Sequence, residues 1–264
     1  MTEAASPFQA SPDALSPVMV PRLSDRLPLE ALRLQAPERV LEILEGVQSR
    51  YGDMYDPVPS WALALPEGSL PHDWRTMSPW FLKQLVDGNI FPCCAGEIPD
   101  GWYLMDRTVR PEFQEGKQLY TLPDGSADPI GEEISYARGR SYRGAVPRTS
   151  RFDMRPVSQI GVLLPLLADN LSLATDKGER MTMRPYIVMN RWRNLHDLEM
   201  DAVDTWERTS DWTVDMHSIV SGHKDHGGVG DVADYAGDIS EPNVGFSTLI
   251  YIPNTVASVV ALAA

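Results

Sequence analysis

Cysteine is nearly absent: Cys93 and Cys94 are the only two in 264 residues. Adjacent cysteines form only strained disulfides, and their spacing excludes a Cys-x-x-Cys metal or redox pair, so reduced thiols in a cytoplasmic protein are expected. Long apolar runs are missing too. No stretch approaches the about eighteen apolar residues of a spanning helix, and Thr255 to Ala264, the most apolar segment, is too short to cross a bilayer. The opening Met1-Thr-Glu-Ala-Ala-Ser-Pro has neither the basic nor the apolar region of a secretory leader. Basic residues are in deficit, 23 Lys and Arg against 37 Asp and Glu. That balance argues against nucleic-acid affinity through net charge and is what solubility alone requires.

Catalytic signatures are equally scarce. There is no Gly-x-Ser-x-Gly elbow, no Gly-rich phosphate loop ending in Lys-Ser or Lys-Thr, and no dinucleotide fingerprint, which disfavours nucleotide-dependent enzymes. His196-Asp-Leu-Glu199 lacks the matched motifs that a di-iron bundle places on further helices. No repeat of fixed period is present, which argues against solenoids and propellers.

What the chain does have is segregated charge. Arg138, Arg140, Arg143, Arg148, Arg151 and Arg155 stand against one acid, Asp153, within a single stretch. Asp197 to Glu241 holds twelve acids against Arg208 and Lys224, which is −10 of the formal −14. Opposite fields on one chain favour contact between its own surfaces or between copies of itself. Tyr136 and Tyr142 interleave with the arginines, a composition that can also stack on bases, but the acidic remainder of the chain repels a polyanion.

Twenty-two prolines and nineteen glycines break the chain into short segments. The expected fold is α+β and strand-rich: short N-terminal helices, then a mainly antiparallel β domain, preceded by an extended arm. Pro7, Pro12, Pro17, Pro21 and Pro28 place that arm at residues 1–28, with one domain over 29–264. A helix is expected from Pro37 to Gly52, with Val40, Leu41, Leu44, Val47 and Tyr51 on its inner face, and a second after Ser78-Pro79, closed by Gly88. Trp102–Met105, Gln118–Leu122, Pro185–Trp192, Trp212–Val220 and Gly245–Ile252 are the expected strands. Pro123-Asp124-Gly125 marks a turn, and Asn194–Trp206 suits a short helix. Ile160–Leu173 is a buried apolar run interrupted by Pro165, and periodicity leaves its type open.

One metal pattern stands out. Ser221-Gly-His223-Lys-Asp225-His226-Gly-Gly resembles the His-x-His-x-Asp-His-x-Gly motif of the metallo-β-lactamase superfamily at His223, Asp225 and His226. Ser221 stands where that pattern has its first histidine, and no histidine follows His226, so the family is not adopted. The alternative is a different site in which His217, His223, Asp225 and His226 gather around zinc. The acids Asp225, Asp231, Asp234 and Asp238 do not have the spacing of a calcium-binding EF-hand loop. Together the arm, the opposed charges and the missing motifs lead to the expectation of a non-enzymatic assembly subunit, with a capsid or tail component of a virion as the concrete version. Its expected partners are copies of itself or other subunits, not a membrane or nucleic acid, and no cofactor is expected. A zinc enzyme centred on residues 217–226 is the alternative.

Overall fold

The computed structural model describes residues 29–63, 79–91, 98–196, 203–222, 232–236 and 240–254. The helices are α1 (Leu29–Arg33), α2 (Glu38–Tyr51), α3 (Pro79–Val86), α4 (Gly131–Ala137), α5 (Pro156–Ser158), α6 (Leu164–Asn170) and α7 (Tyr186–His196). The strands are β1 (Tyr55–Pro59), β2 (Gly101–Asp106), β3 (Arg180–Met183), β4 (Trp206–Trp212), β5 (His217–Ser221), β6 (Val232–Ala236), β7 (Val244–Phe246) and β8 (Thr248–Pro253). They form two four-stranded sheets, ordered β1-β2-β8-β3 and β6-β5-β4-β7. All pairings are antiparallel except β4 with β7. The expected α+β, strand-rich class is what the chain adopts. The proposed arm, residues 1–28, lies outside the described residues.

The first sheet is covered on both faces, which is why every residue of β2 is buried. Alternate side chains of a strand point to opposite faces. Trp102 and Leu104 join Ile250, Ile252, Met181 and Met183 in a core shared with α2 and α6. Tyr103 and Met105 enter the opposite core with Leu249, Phe81 of α3 and Tyr186 of α7. On α2 the inner face is Val40, Ile43, Leu44, Val47 and Tyr51; Leu41 is 37% exposed and Ile43 takes its place. Pro37 serves as the cap with extended geometry, and Gly52 stops the helix at φ +65°.

Several expected strands are corrected. Pro185–Trp192 is the first part of α7, because the carboxylate of Asp211, on β4, accepts the Tyr186 amide and the Met189 amide donates to the Pro185 carbonyl. A cap supplied from a distant strand leaves no local trace, and a helix buried on several sides reads as a plain apolar run. Asn194–Trp206 is not a helix of its own: α7 ends at His196, residues 197–202 lie outside the described set, and Trp206 begins β4. Trp212–Val220 divides into the end of β4, a turn closed by the Thr213 and His217 backbones, and β5; Met216 takes φ +62° there. Gly245–Ile252 divides into β7 and β8, which belong to different sheets and are separated by Ser247 alone. Gln118–Leu122 makes only isolated bridges, Val109 with Thr121 and Thr121 with Ala127, beside the expected turn at Gly125.

Of the run Ile160–Leu173, the part up to Asn170 is helical and Leu171–Leu173 turn out of the helix. A wide π turn, Gln159–Leu163, joins α5 to α6, and Pro165, which has no amide to donate, falls just past that join. Gln159 is fully buried with neither amide atom of its side chain hydrogen-bonded. Removing an unsatisfied buried amide recovers its desolvation cost, so Gln159→Leu should stabilise the fold by about 1–2 kcal/mol, read as a higher urea midpoint. A lower midpoint would mean that the amide has a partner.

Candidate functional site

The six arginines of the basic stretch separate into two groups. Arg151 is fully buried: its Nε and Nη2 donate to the two oxygens of Asp128 at 2.6 and 2.8 Å, and its Nη1 donates to Asp106. It serves the core and presents no surface. Arg138 folds back over its own loop, donating to the carbonyls of Ser150, Phe152 and Asp153 with its guanidinium 4.2 Å from the Tyr142 ring centre. Arg140, Arg143, Arg148 and Arg155 are exposed. Arg143 and Arg148 donate to nearby backbone carbonyls, and among the described residues none of the four meets a carboxylate. Tyr136, 70% exposed on α4, and Val157, 68% exposed on α5, belong to the same region, since α4 packs against the turn that follows α5.

The acidic stretch is also divided. Glu207 and Asp211 are buried. Arg184 forks onto Glu207, Nε to Oε1 at 2.8 Å and Nη2 to Oε2 at 2.6 Å, while Arg110 approaches Oε2 at 3.7 Å and donates to the Gly222 carbonyl. Arg184 Nη2 also reaches Ser247 Oγ, so this triad clamps the point where the chain passes from the second sheet to the first. Asp106 closes the same region: its carboxylate accepts from the amide and hydroxyl of both Thr108 and Thr248 and from Arg151. Burial alone would push the Asp106 carboxyl up, but Arg151 and the threonine hydrogen bonds outweigh it and hold the group below the ordinary carboxylate range. These ion pairs are structural. They were not foreseen, since nothing in the residues around Asp106 or Glu207 marks them as internal.

Of the proposed zinc ligands, His217 opens β5, half-buried, its amide donating to Thr213 Oγ1 at 3.1 Å. His223, Asp225 and His226 lie outside the described residues, as do Cys93 and Cys94. Among the described residues no three His, Cys, Asp or Glu side chains are grouped to hold a metal, and no helix is long and apolar enough to cross a membrane.

A second surface feature lies at the outer edge of the first sheet, where β4 of the second sheet comes alongside β3 and the Ser210 amide donates to the Arg184 carbonyl just past it. β3 pairs with β8 and, among the described strands, with no other. Two clefts flank that edge, and both are bordered by Arg180, Thr182 and Ser210. The larger, about 450 Å³, reaches toward α6 between Ile160, Leu164 and Met181; the smaller, about 230 Å³, reaches toward α7 between Tyr103, Ile187 and Tyr251. The start of β3 is pinned to α2 by Glu179, which accepts both Nε and Nη2 of Arg39 at 2.7 and 2.8 Å. No family model matches this chain, and no curated protein or solved structure is similar to it at a significant level.

Proposed function

We propose that this chain is a subunit of a larger protein assembly and that it associates through the surface around Arg140, Arg143, Arg148 and Arg155. The observation that carries the proposal is that these four exposed guanidinia lack carboxylate partners among the described residues, beside the exposed Tyr136 and Val157, in a chain of net charge −14. Arginine and tyrosine are enriched at the centres of protein interfaces, where the planar fork of arginine meets carboxylates bidentately. A cationic patch on an acidic chain is complementary to the rest of that chain's own surface, so a second copy is the natural partner. Any virion role, as shell or tail component, would be one instance of such an assembly.

The test is charge reversal. Arg140→Glu, Arg143→Glu and Arg148→Glu together should weaken self-association roughly a hundredfold, about 3 kcal/mol, in sedimentation at low salt. The thermal transition should move little, because the three side chains are exposed. High salt should weaken the wild-type assembly in the same direction. A wild-type chain that stays monomeric at high concentration and low salt, with no companion subunit, overturns the proposal.

A further inference from the structure

We infer that two copies of the chain pair through the helical run of residues 156–170, antiparallel about a two-fold axis near Val162. This rests on the assembly reading above and adds the element and the register of the contact. α5, the π turn and α6 follow one another without a break. Residues 156–168 of this run include no charged side chain. Its outward side is apolar: Val157 is 68% exposed, Ile160 44% and Val162 40%, and Gly161 and Pro165 are exposed beside them. The outward face of a helix ordinarily carries polar residues, and an apolar one marks a contact surface.

Charge marks the two ends of this face and supplies the register. Arg155 stands just before the run and Asp169 near its end; both are exposed, and neither side chain has a hydrogen bond or ion pair among the described residues. They are fourteen positions apart with Val162 midway, a distance of about 20 Å along the axis at about 1.5 Å per residue. An antiparallel two-fold pair therefore sets Arg155 of each copy against Asp169 of the other, closing both ends of an apolar seam with opposite charges. A parallel pair would set like charges together at each end.

Gly161 lies beside the axis. An added Cβ there would meet nothing within 4 Å, so a partner helix can come as near as the short end of the usual range of about 8–10 Å between axes. At the crossing angle of about 20° that near-antiparallel helices adopt, both charged ends stay within reach of the partner. The larger cleft, about 450 Å³, borders the same run at Ile160, Leu164, Pro165 and Ala168 and offers room for apolar side chains of the second copy. The seam is continuous with the basic surface, because Arg155 belongs to both and α4 packs against the π turn.

Sedimentation of the full-length chain at low salt tests the pairing by charge swap. Arg155→Asp and Asp169→Arg should each weaken self-association at least about tenfold, because each sets like charges together at both ends of the seam. An equimolar mixture of the two variants should recover the wild-type affinity to within about threefold, since a mixed pair again has opposite charges at both ends. Gly161→Phe should weaken association at least about tenfold without lowering the thermal transition, because the position is open within a single copy and glycine is the poorer helix former. Single variants that weaken association and do not recover on mixing overturn the inference, and so does any of the three variants that associates like wild type. In the latter case, association lost in the Arg140→Glu, Arg143→Glu and Arg148→Glu triple variant would still uphold the basic surface, so the two readings fail separately. A wild-type chain that stays monomeric overturns both.

Discussion

Replacing Arg151 with methionine should cost about 3–5 kcal/mol of folding stability at neutral pH, because it leaves the buried carboxylates of Asp106 and Asp128 without their cation. Methionine keeps much of the side-chain volume, so the loss reports the charge and not a cavity. The pH dependence gives an independent check. The Asp106 carboxyl is held low in the wild-type fold, so its contribution is present above about pH 4, its unfolded value, and is lost as pH falls through the depressed folded value. Without Arg151, burial is no longer opposed by that charge, the carboxyl rises, and protonation relieves the penalty. The gap between wild type and Arg151→Met should therefore be widest near neutrality and narrow toward pH 4, as read from denaturant midpoints. A loss under about 1 kcal/mol, or a gap independent of pH, would show that the ion pairs do not support the core.

The second large effect is expected at Gly101, the first residue of β2. It sits at φ +156°, where a Cβ would lie 2.4 Å from the Ile252 carbonyl oxygen, 2.9 Å from the Tyr251 ring and 3.0 Å from Pro253 Cα. The first and last of these are backbone atoms of the neighbouring strand, so relief requires opening the ladder between β2 and β8. Gly101→Ala should cost about 3 kcal/mol. Gly46 supplies the contrast. On the exposed side of α2 an added Cβ meets nothing within 4 Å, so Gly46→Ala should stabilise by about 0.5–1 kcal/mol. Thermal unfolding of the two variants separates them by sign, and equal shifts would rule out the strand clash.

The basic surface was visible only in part. Arg140, Arg143, Arg148 and Arg155 stand out as a basic run, and the run does reach the surface. Arg151 belongs to the same run and is internal, because the charge pattern records residue type and not the partners that Asp106 and Asp128 supply from 45 and 23 positions away. The edge of β3 had no signal. Four residues, Arg-Met-Thr-Met, show too little periodicity to mark a strand, and an edge is defined by which strands fail to pair.

By itself the sequence determined the α+β class, the α2 and α3 segments, the β2 strand and the turn at Gly125. Each of these rests on residues close together in the chain: apolar spacing over a few turns, prolines and glycines at the ends, β-branched and aromatic runs. Tertiary structure decided the rest. It made a helix of Tyr186–His196 by capping it with Asp211, and it divided Val244–Pro253 between two sheets at Ser247. It also turned Glu207 and Arg151 inward to neutralise partners on other elements. The reason is common to all three. A buried polar group must find its hydrogen bonds and countercharges wherever the fold brings them, and pairing across tens to hundreds of residues leaves no mark on the local pattern.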